Sequence, residues 1–108
     1  MPQFLENLDQ LSSNKLIIYG AGGLGVDLIN KLNRNDYEIR LVDDYLYGQY
    51  IEGYYVEKFE NLDVNDNENI IICSRFLDQF KNKIDKDYFI YSLDIDKSDA
   101  IDFNNSSN

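Results

Sequence analysis

Short runs of β-branched and aromatic residues alternate along this chain with stretches in which apolar residues recur every three or four positions. Most of the runs are solidly apolar and bounded by turn-forming residues, which is typical of strands buried on both faces of a sheet. They predict strands at 15–20, 37–44, 54–56, 67–74 and 88–95. The periodic stretches predict helices at 4–11, 23–34 and 76–84.

This alternation predicts the α/β fold class, as a small Rossmann-like, open and mainly parallel sheet of four to five strands flanked by helices. We expect a single domain over residues 1–103, with the polar residues 104–108 as a tail or the start of a linker. Right-handed crossovers place the first two of these strands side by side. The strand order then reverses, so that the strand at 67–74 lies on the other side of the first strand. The reversal leaves a crevice at the carboxyl ends of the strands, where such sheets bind ligands.

Four glycines follow the first of these strands directly, in the sequence GAGGLG. Gly20, Gly22 and Gly25 satisfy G-x-G-x-x-G, a pattern that allows a tight exit from the strand, an approach of backbone to phosphate and close helix packing. Gly23 adds a fourth glycine where the next helix offers its N–H groups and the positive end of its dipole. A tight turn alone needs one glycine, so we favour a nucleotide or another phosphorylated ligand over a purely structural loop.

Two acids end the next predicted strand, at the same edge of the sheet as the glycine loop. Asp43 lies 18 positions beyond Gly25, close to the spacing of the acid that binds ribose in dinucleotide folds. Asp43 and Asp44 are therefore candidates to bind ribose hydroxyls or a base N–H group, and equally to be ordinary acids at a strand end. Tyr45 and Tyr47 follow; one of them could stack on a base, although tyrosine clusters more often pack a sheet edge or form a contact surface.

Four motifs occur in order along the chain: the glycine loop of IIYGAGGLGVDLINKL, the acids of LVDD, the segment YGQYIEGYYV and the strand end IIICSR. The third motif fits G-x-x-I-x-G-x-x-V through Gly48, Ile51, Gly53 and Val56, and it is more specific than the glycine loop. Together, over residues 15–93, they resemble the N-terminal nucleotide-sugar-binding domain of bacterial sugar O- and N-acetyltransferases. The resemblance is to the bacillosamine-pathway and sialic-acid O-acetyltransferase types.

The resemblance implies that the domain holds the UDP part of a UDP-sugar, as the substrate-binding module of a surface-glycan modifying system, with no further cofactor required. The phosphates would lie against the glycine loop, the uridine would meet the acid pair, and the end of the fourth strand would flank the crevice. The nucleotide-binding residues implied in this way are Gly20, Ala21, Gly22, Gly23, Leu24, Gly25, Asp43, Asp44, Tyr45, Ser74 and Arg75.

Two departures from that family bear on activity. Leu24 stands where the family often has a histidine, and a leucine there suits the core better than a polar contact. The family's acetyl transfer takes place in a following β-helix of hexapeptide repeats with a catalytic histidine, whereas this chain has neither the repeats nor any histidine. We therefore expect no catalytic residues here. The candidate partners are the nucleotide sugar, a catalytic β-helix domain or another glycan-modifying enzyme, and a second copy of the chain in a homo-oligomer.

Composition narrows the alternatives. The net charge of −10 argues against binding nucleic acid or an anionic membrane surface. The single cysteine, Cys73, lies inside an apolar run, so we expect it to be buried rather than reactive, and no metal site is expected without histidine. The lack of a long apolar run and the acidic N-terminal segment favour a cytoplasmic location.

Two other function classes stay open. An acidic protein-interaction module, such as an inhibitor or immunity protein that has lost its ligand, fits the charge and the tyrosine-rich segment. A fragment of an NAD-binding oxidoreductase fits the glycine loop, but no catalytic Lys, Tyr or Ser motif follows the first βαβ unit.

Overall fold

Buried parallel strands form the centre of the sheet in the computed structural model, which describes residues 3–74 and 84–92. The strands are β1 Gln3–Phe4, β2 Lys15–Tyr19, β3 Glu38–Val42, β4 Tyr50–Ile51, β5 Tyr54–Glu57, β6 Asn69–Ile72 and β7 Phe89–Ile90. Within the described residues one α-helix, α1, spans Gly23–Lys31, and single 3₁₀ turns lie at Leu8–Gln10, Arg34–Asp36 and Phe59–Asn61.

The strands lie in the order β1-β7-β6-β2-β3-β5-β4, and all neighbours are parallel except the β4–β5 hairpin. Ile18 of β2 is in register with Leu41 of β3 on one side and with Ile71 of β6 on the other. An α/β domain with a mainly parallel sheet is therefore confirmed, as is the reversal between β3 and β6. The described part of the sheet has seven strands, more than the four to five predicted.

Each face of the sheet carries its own apolar cluster, because side chains alternate between the faces along a strand. On one face Ile18 and Leu41 belong to a cluster with Leu28 of α1. On the other face Ile17 belongs to a cluster against which Phe59 of the third 3₁₀ turn packs. Both faces of the central strands are covered, which explains why their sequences are solidly apolar.

The N-terminal helix prediction is wrong. Residues 4–11 contribute to β1 and to the 3₁₀ turn at Leu8–Gln10 instead. The backbone N–H of Leu5 donates to the carbonyl of Ile90 at 2.9 Å, so the chain extends the sheet beyond β7. Leu5 and Leu8 are buried in this arrangement too, and the apolar spacing that indicated a helix is satisfied by a strand and a single turn.

The helix α1 ends at Lys31, earlier than the predicted end at Arg34. Leu32 has an extended conformation and its N–H still donates to carbonyls of the last helical turn. The side chain of Asn33 then accepts a hydrogen bond from the N–H of Asn35 and begins a separate 3₁₀ turn. An asparagine that competes for backbone hydrogen bonds thus shortens the helix.

The hairpin at the outer edge of the sheet contains a strand that the sequence pattern did not predict. β4 pairs with β5 across a two-residue turn formed by Glu52 and Gly53, whose φ angles are +52° and +86°. Two positive φ angles are the signature of a type I′ turn, which usually carries Asn-Gly or Asp-Gly. Glu52 therefore occupies a left-handed position that costs a non-glycine residue about 1 kcal/mol.

Some predictions fall outside the described residues. These are most of the helix at 76–84, the part of the strand at 88–95 that follows Ser92, and the tail at 104–108. The location in the cell stays a prediction as well; in the described residues we find only that no helix has the length and apolarity to span a bilayer.

The turn gives a first test of this fold. We expect Glu52→Asn to raise the free energy of unfolding by about 0.5–1 kcal/mol, because asparagine tolerates the left-handed position better. The exposed ion pair of Glu52 with Arg34, at 3.6 Å, contributes little that would be lost. Urea unfolding at neutral pH measures the change. Glu60→Asn is the matched control, since it also removes an exposed ion pair, and equal effects of the two substitutions would contradict the turn assignment.

Candidate functional site

The glycine loop, residues 20–25, leaves β2 at the carboxyl edge of the sheet, between β3 and β6. The N–H of Gly20 donates to the carbonyl of Val42 at 2.7 Å, and its φ of +116° is accessible mainly to glycine. A β-carbon on Gly20 would lie 2.3 Å from the carbonyl oxygen of Cys73. The first glycine is thus required by the close approach of β6.

Gly25 is required in the same way by the helix. A β-carbon there would lie 1.9 Å from the carbonyl oxygen of Gly20, so the first turn of α1 packs directly on the start of the loop. Two glycines of the four therefore have an explanation inside the fold.

Gly22 and Gly23 have no such explanation. A β-carbon on either would meet no atom of the described structure within 4 Å, and neither residue has a positive φ. Gly22 is the N-cap of α1, and no side chain caps the helix there. The first turn of this nine-residue helix therefore has backbone N–H groups without a side-chain cap at its positive end, and the space beside its two glycines is open, which is a favourable combination for an anion.

Asp43 fixes the loop to the end of β3. One carboxylate oxygen accepts the N–H of Ala21 at 2.8 Å, and the other accepts the N–H groups of Tyr45 and Leu46 at 2.7 and 3.0 Å. Hydrogen bonds from backbone N–H groups to a charged acceptor are among the stronger ones in proteins. The structure thus places this carboxylate on protein donors, where it positions the glycine loop.

Asp44 lies beside it and is bound to the other face of the sheet. Its carboxylate accepts the hydroxyl of Tyr19 at 2.7 Å and the N–H of Phe59 at 3.0 Å. The rings of Tyr19 and Phe59 stack with centroids 5.0 Å apart. Burial, together with the hydrogen bond to Asp44, raises the pKa of Tyr19 far above its ordinary value, so this hydroxyl stays protonated as a donor.

The remaining site residues from the sequence lie around this loop or outside the described part. Ala21 is buried, and Leu24 is half-buried against the core, as its apolar side chain indicates. Tyr45 is exposed near the start of the loop after β3, and Ser74 is half-buried just beyond β6. Arg75 falls outside the described residues. The structure thus brings the glycine loop, the acid pair and Tyr45 to one edge of the sheet.

One polar cluster near this edge was missed by sequence reasoning. The hydroxyl of Tyr91, just after β7, donates to the carboxylate of Asp27 on α1, and Lys31 lies 3.1 Å from the same carboxylate. The only signal in the sequence was the position of Asp27 and Lys31 off the apolar stripe of the helix. Cys73 is buried near this cluster, as expected, and burial raises the pKa of its thiol far above the ordinary value, so it is a poor nucleophile.

A groove of about 270 Å³ opens at the opposite, amino edge of the strands and is lined by Lys15, Glu38, Ile39, Arg40, Asn65 and Glu68. Its most buried cation, Arg40, is paired with Glu57 at 2.8 Å and with Glu68 at 3.5 Å. These charges balance one another, so the groove is unsuited to an anionic ligand. The described residues also contain no group of three acidic or cysteine side chains arranged to hold a metal ion.

Comparisons with known proteins give no functional assignment for this site. A scan against protein-family models, a search of curated proteins and a search of solved structures each found no match. A functional assignment therefore depends on the site itself and on the motifs in the sequence.

The four glycines give a test of the loop. Gly20→Ala and Gly25→Ala should each lower the free energy of unfolding by about 3 kcal/mol or more, because a methyl group would overlap a backbone carbonyl. Gly22→Ala and Gly23→Ala are the matched controls and should stay within about 1 kcal/mol of wild type. Chemical denaturation measures all four, and similar losses throughout the series would contradict this division of the loop.

The polar cluster gives a pH-dependent test. Burial alone would raise the pKa of Asp27, but the hydrogen bonds from Tyr91 and Lys31 outweigh it and hold the pKa below its ordinary value of 3.8. A folded-state pKa below the unfolded one means that the ionised carboxylate stabilises the fold above the unfolded value, and that this contribution is lost as the pH falls through the folded value.

We therefore expect Tyr91→Phe to flatten the acid limb of the stability curve, because it removes one of the hydrogen bonds that lower the pKa of Asp27. Urea unfolding between about pH 2 and pH 5 measures that limb. Tyr37→Phe is a control, since Tyr37 is also partly buried and borders Asp36 rather than Asp27. An unchanged slope in Tyr91→Phe would show that the hydrogen bond does not set the titration of Asp27.

Proposed function

We propose that this α/β domain is Rossmann-like and binds a nucleotide sugar at the glycine loop, with a UDP-sugar as the first candidate. The observation that carries the proposal is the pair Gly22 and Gly23, which the fold does not require and which open the N-terminus of α1 to an anion. The phosphates would accept hydrogen bonds from the N–H groups of this first turn.

The position of the loop supports the proposal. It lies where β2 has β3 on one side and β6 on the other, and the carboxyl edge at such a reversal is the usual ligand site of an open parallel sheet. The net charge of −10 does not prevent this, because salt screens scattered surface acids beyond about 10 Å while backbone donors act at contact.

The acid pair takes a different role in this proposal from the one its spacing suggests. Asp43 and Asp44 shape the site by holding the loop and the strand ends, since their carboxylates already accept backbone and tyrosine donors. The nucleoside would then lie along the exposed ring of Tyr45, whose backbone is bound to the same carboxylate as Ala21.

The third motif of the resemblance supports the fold of the site rather than a ligand contact. Gly48 and Gly53 have φ angles of +87° and +86° at the two turns of the hairpin segment, Ile51 packs on the core and Val56 is buried. The four positions of the motif thus have structural reasons. What the motif adds to the proposal is that it occurs in the same order as in nucleotide-sugar-binding domains.

In this proposal the domain holds its ligand and a separate catalyst acts on it. The full sequence has no histidine, and the candidate site has a buried thiol and acids that are already hydrogen-bonded. Transfer of an acyl group would then require a catalytic domain or partner enzyme that meets the sugar at the carboxyl edge of the sheet.

Titration calorimetry tests the proposal. We expect UDP and a UDP-N-acetylhexosamine to bind with a Kd below about 1 mM, which corresponds to roughly 4 kcal/mol, and NAD and coenzyme A to bind more weakly. Gly22→Asp should abolish binding, because it places a carboxylate where the phosphates would lie. Asn30→Asp is the matched control, since it adds the same charge to the exposed far end of the same helix.

Two results would count against the proposal. If none of the four ligands produced a heat of binding, the hypothesis of nucleotide binding would be rejected. Tight binding of NAD without binding of UDP would favour the dinucleotide-binding alternative instead.

A further inference from the structure

Four exposed tyrosines lie on the loop and hairpin that follow β3, two on the loop and two on the outermost strands, β4 and β5. Tyr45, Tyr47, Tyr50 and Tyr55, which we call the tyrosine edge, are 85, 48, 73 and 52% exposed. A single exposed aromatic ring is ordinary, but a concentration of them within residues 45–55 is typical of a contact surface.

The fold uses the residues that alternate with these four. Leu46, Ile51 and Tyr54 pack against the core from this segment, so the hairpin is anchored without the exposed rings. Tyr50 and Tyr55 are a cross-strand pair and contact each other edge to face, with ring centroids 5.4 Å apart. The hairpin thus presents a pre-formed pair of rings on the outermost two strands.

Cationic side chains of the chain itself already lie over tyrosine rings in this segment. The ammonium nitrogen of Lys58 lies 5.0 Å from the ring centroid of Tyr47, and the guanidinium of Arg34 lies 5.7 Å from that of Tyr54. Cations are drawn to the negative face of an aromatic ring, and tyrosine and arginine are both enriched where proteins meet.

The charge around the tyrosine edge selects among partners. Residues 43–60 carry five acids (Asp43, Asp44, Glu52, Glu57 and Glu60). The three glutamates are ion-paired with Arg34, Arg40 and Lys58, so the excess that a partner would meet at long range is the −10 of the whole chain. A second copy of the chain would bring the same excess and be repelled, and nucleic acid or an anionic membrane would be repelled as well. A basic protein surface is the partner that this charge complements.

We propose that the β4–β5 hairpin of the tyrosine edge docks a basic protein whose arginine side chains stack on Tyr50 and Tyr55, without a contact to Tyr45. These two rings lie on β4 and β5, at the outer edge of the sheet and away from the glycine loop that follows β2. The proposal is therefore independent of nucleotide binding and can hold or fail without it.

A labelled synthetic peptide of alternating arginine and glycine is the probe, and its lysine counterpart is the comparison. The full chain is titrated by fluorescence anisotropy at about 0.15 M and about 0.5 M salt, where surface charges are progressively screened. We expect the arginine peptide to bind more tightly than the lysine peptide at both salt concentrations, since arginine stacks better on aromatic rings.

Tyr50→Thr/Tyr55→Thr should weaken arginine-peptide binding by about 5-fold or more, the equivalent of two lost cation–ring contacts. The substitutions leave the charge of the chain unchanged, so a purely Coulombic attraction would be unaffected. Phe4→Thr is the matched control because it removes an exposed ring at the opposite edge of the sheet, and it should bind the peptide as wild type does. Circular dichroism confirms that each variant is folded.

Three outcomes would overturn the proposal. One is equal affinity of the wild type and the tyrosine variant for the arginine peptide. Another is equal affinity of the wild type for both peptides, which would indicate charge alone. The third is a wild-type dimer in sedimentation equilibrium that the tyrosine variant lacks, which would make a second copy the occupant. Calorimetry of the same variant with the UDP-sugar, expected to match wild type, separates this proposal from the nucleotide site.

Discussion

Backbone contacts too close for any side chain hold the glycine loop against the sheet. Gly20 lies against the carbonyl of Cys73, and Gly25 lies against the carbonyl of Gly20. The first contact fixes the exit of the chain from β2 relative to β6, and the second fixes the start of α1 relative to that exit. Because β6 is distant from β2 in sequence, the loop reaches its final geometry only when the central strands have paired, so the candidate site depends on non-local contacts of the fold.

Asp43 restrains the same loop from the opposite side, through β3. Three backbone N–H groups take up most of the acceptor capacity of the Asp43 carboxylate, two on one oxygen and one on the other. These three N–H groups lie in the turn after β3 and the loop after β2. Without the Asp43 carboxylate, these donors would depend on water. The acid thus holds Ala21, and through it the start of α1, in a fixed position.

The parts of this fold that the sequence predicts are those with enough residues to show a period. β2, β3, β6 and α1 are long enough, and their apolar runs or stripes are continuous. β1 and β4 have two residues each and lie in no such run, whereas β7, equally short, falls within the run at 88–95 that predicted a strand. The turn between β4 and β5 uses Glu52 where asparagine would have signalled a hairpin. In the candidate site the loop was predictable from spacing. Which of its glycines the fold requires was not predictable. The requirement at Gly20 depends on the carbonyl of Cys73, whose position no local sequence pattern indicates.

The acidic charge of the chain acts differently on the two proposed surfaces. At long range it repels a phosphorylated ligand and attracts a basic protein, so it slows one encounter and accelerates the other. At contact, the proposed phosphate site uses backbone N–H donors of the glycine loop. The proposed docking site uses the ring faces of the tyrosine edge, whose attraction for cations adds to that of the acidic chain. Asp43 joins the two regions structurally, because one of its oxygens holds Ala21 in the loop and the other holds Tyr45 at the start of the tyrosine edge. The proposed anion site therefore requires that the backbone donors stay aligned at short range, and this carboxylate is the rigid neighbour that aligns them.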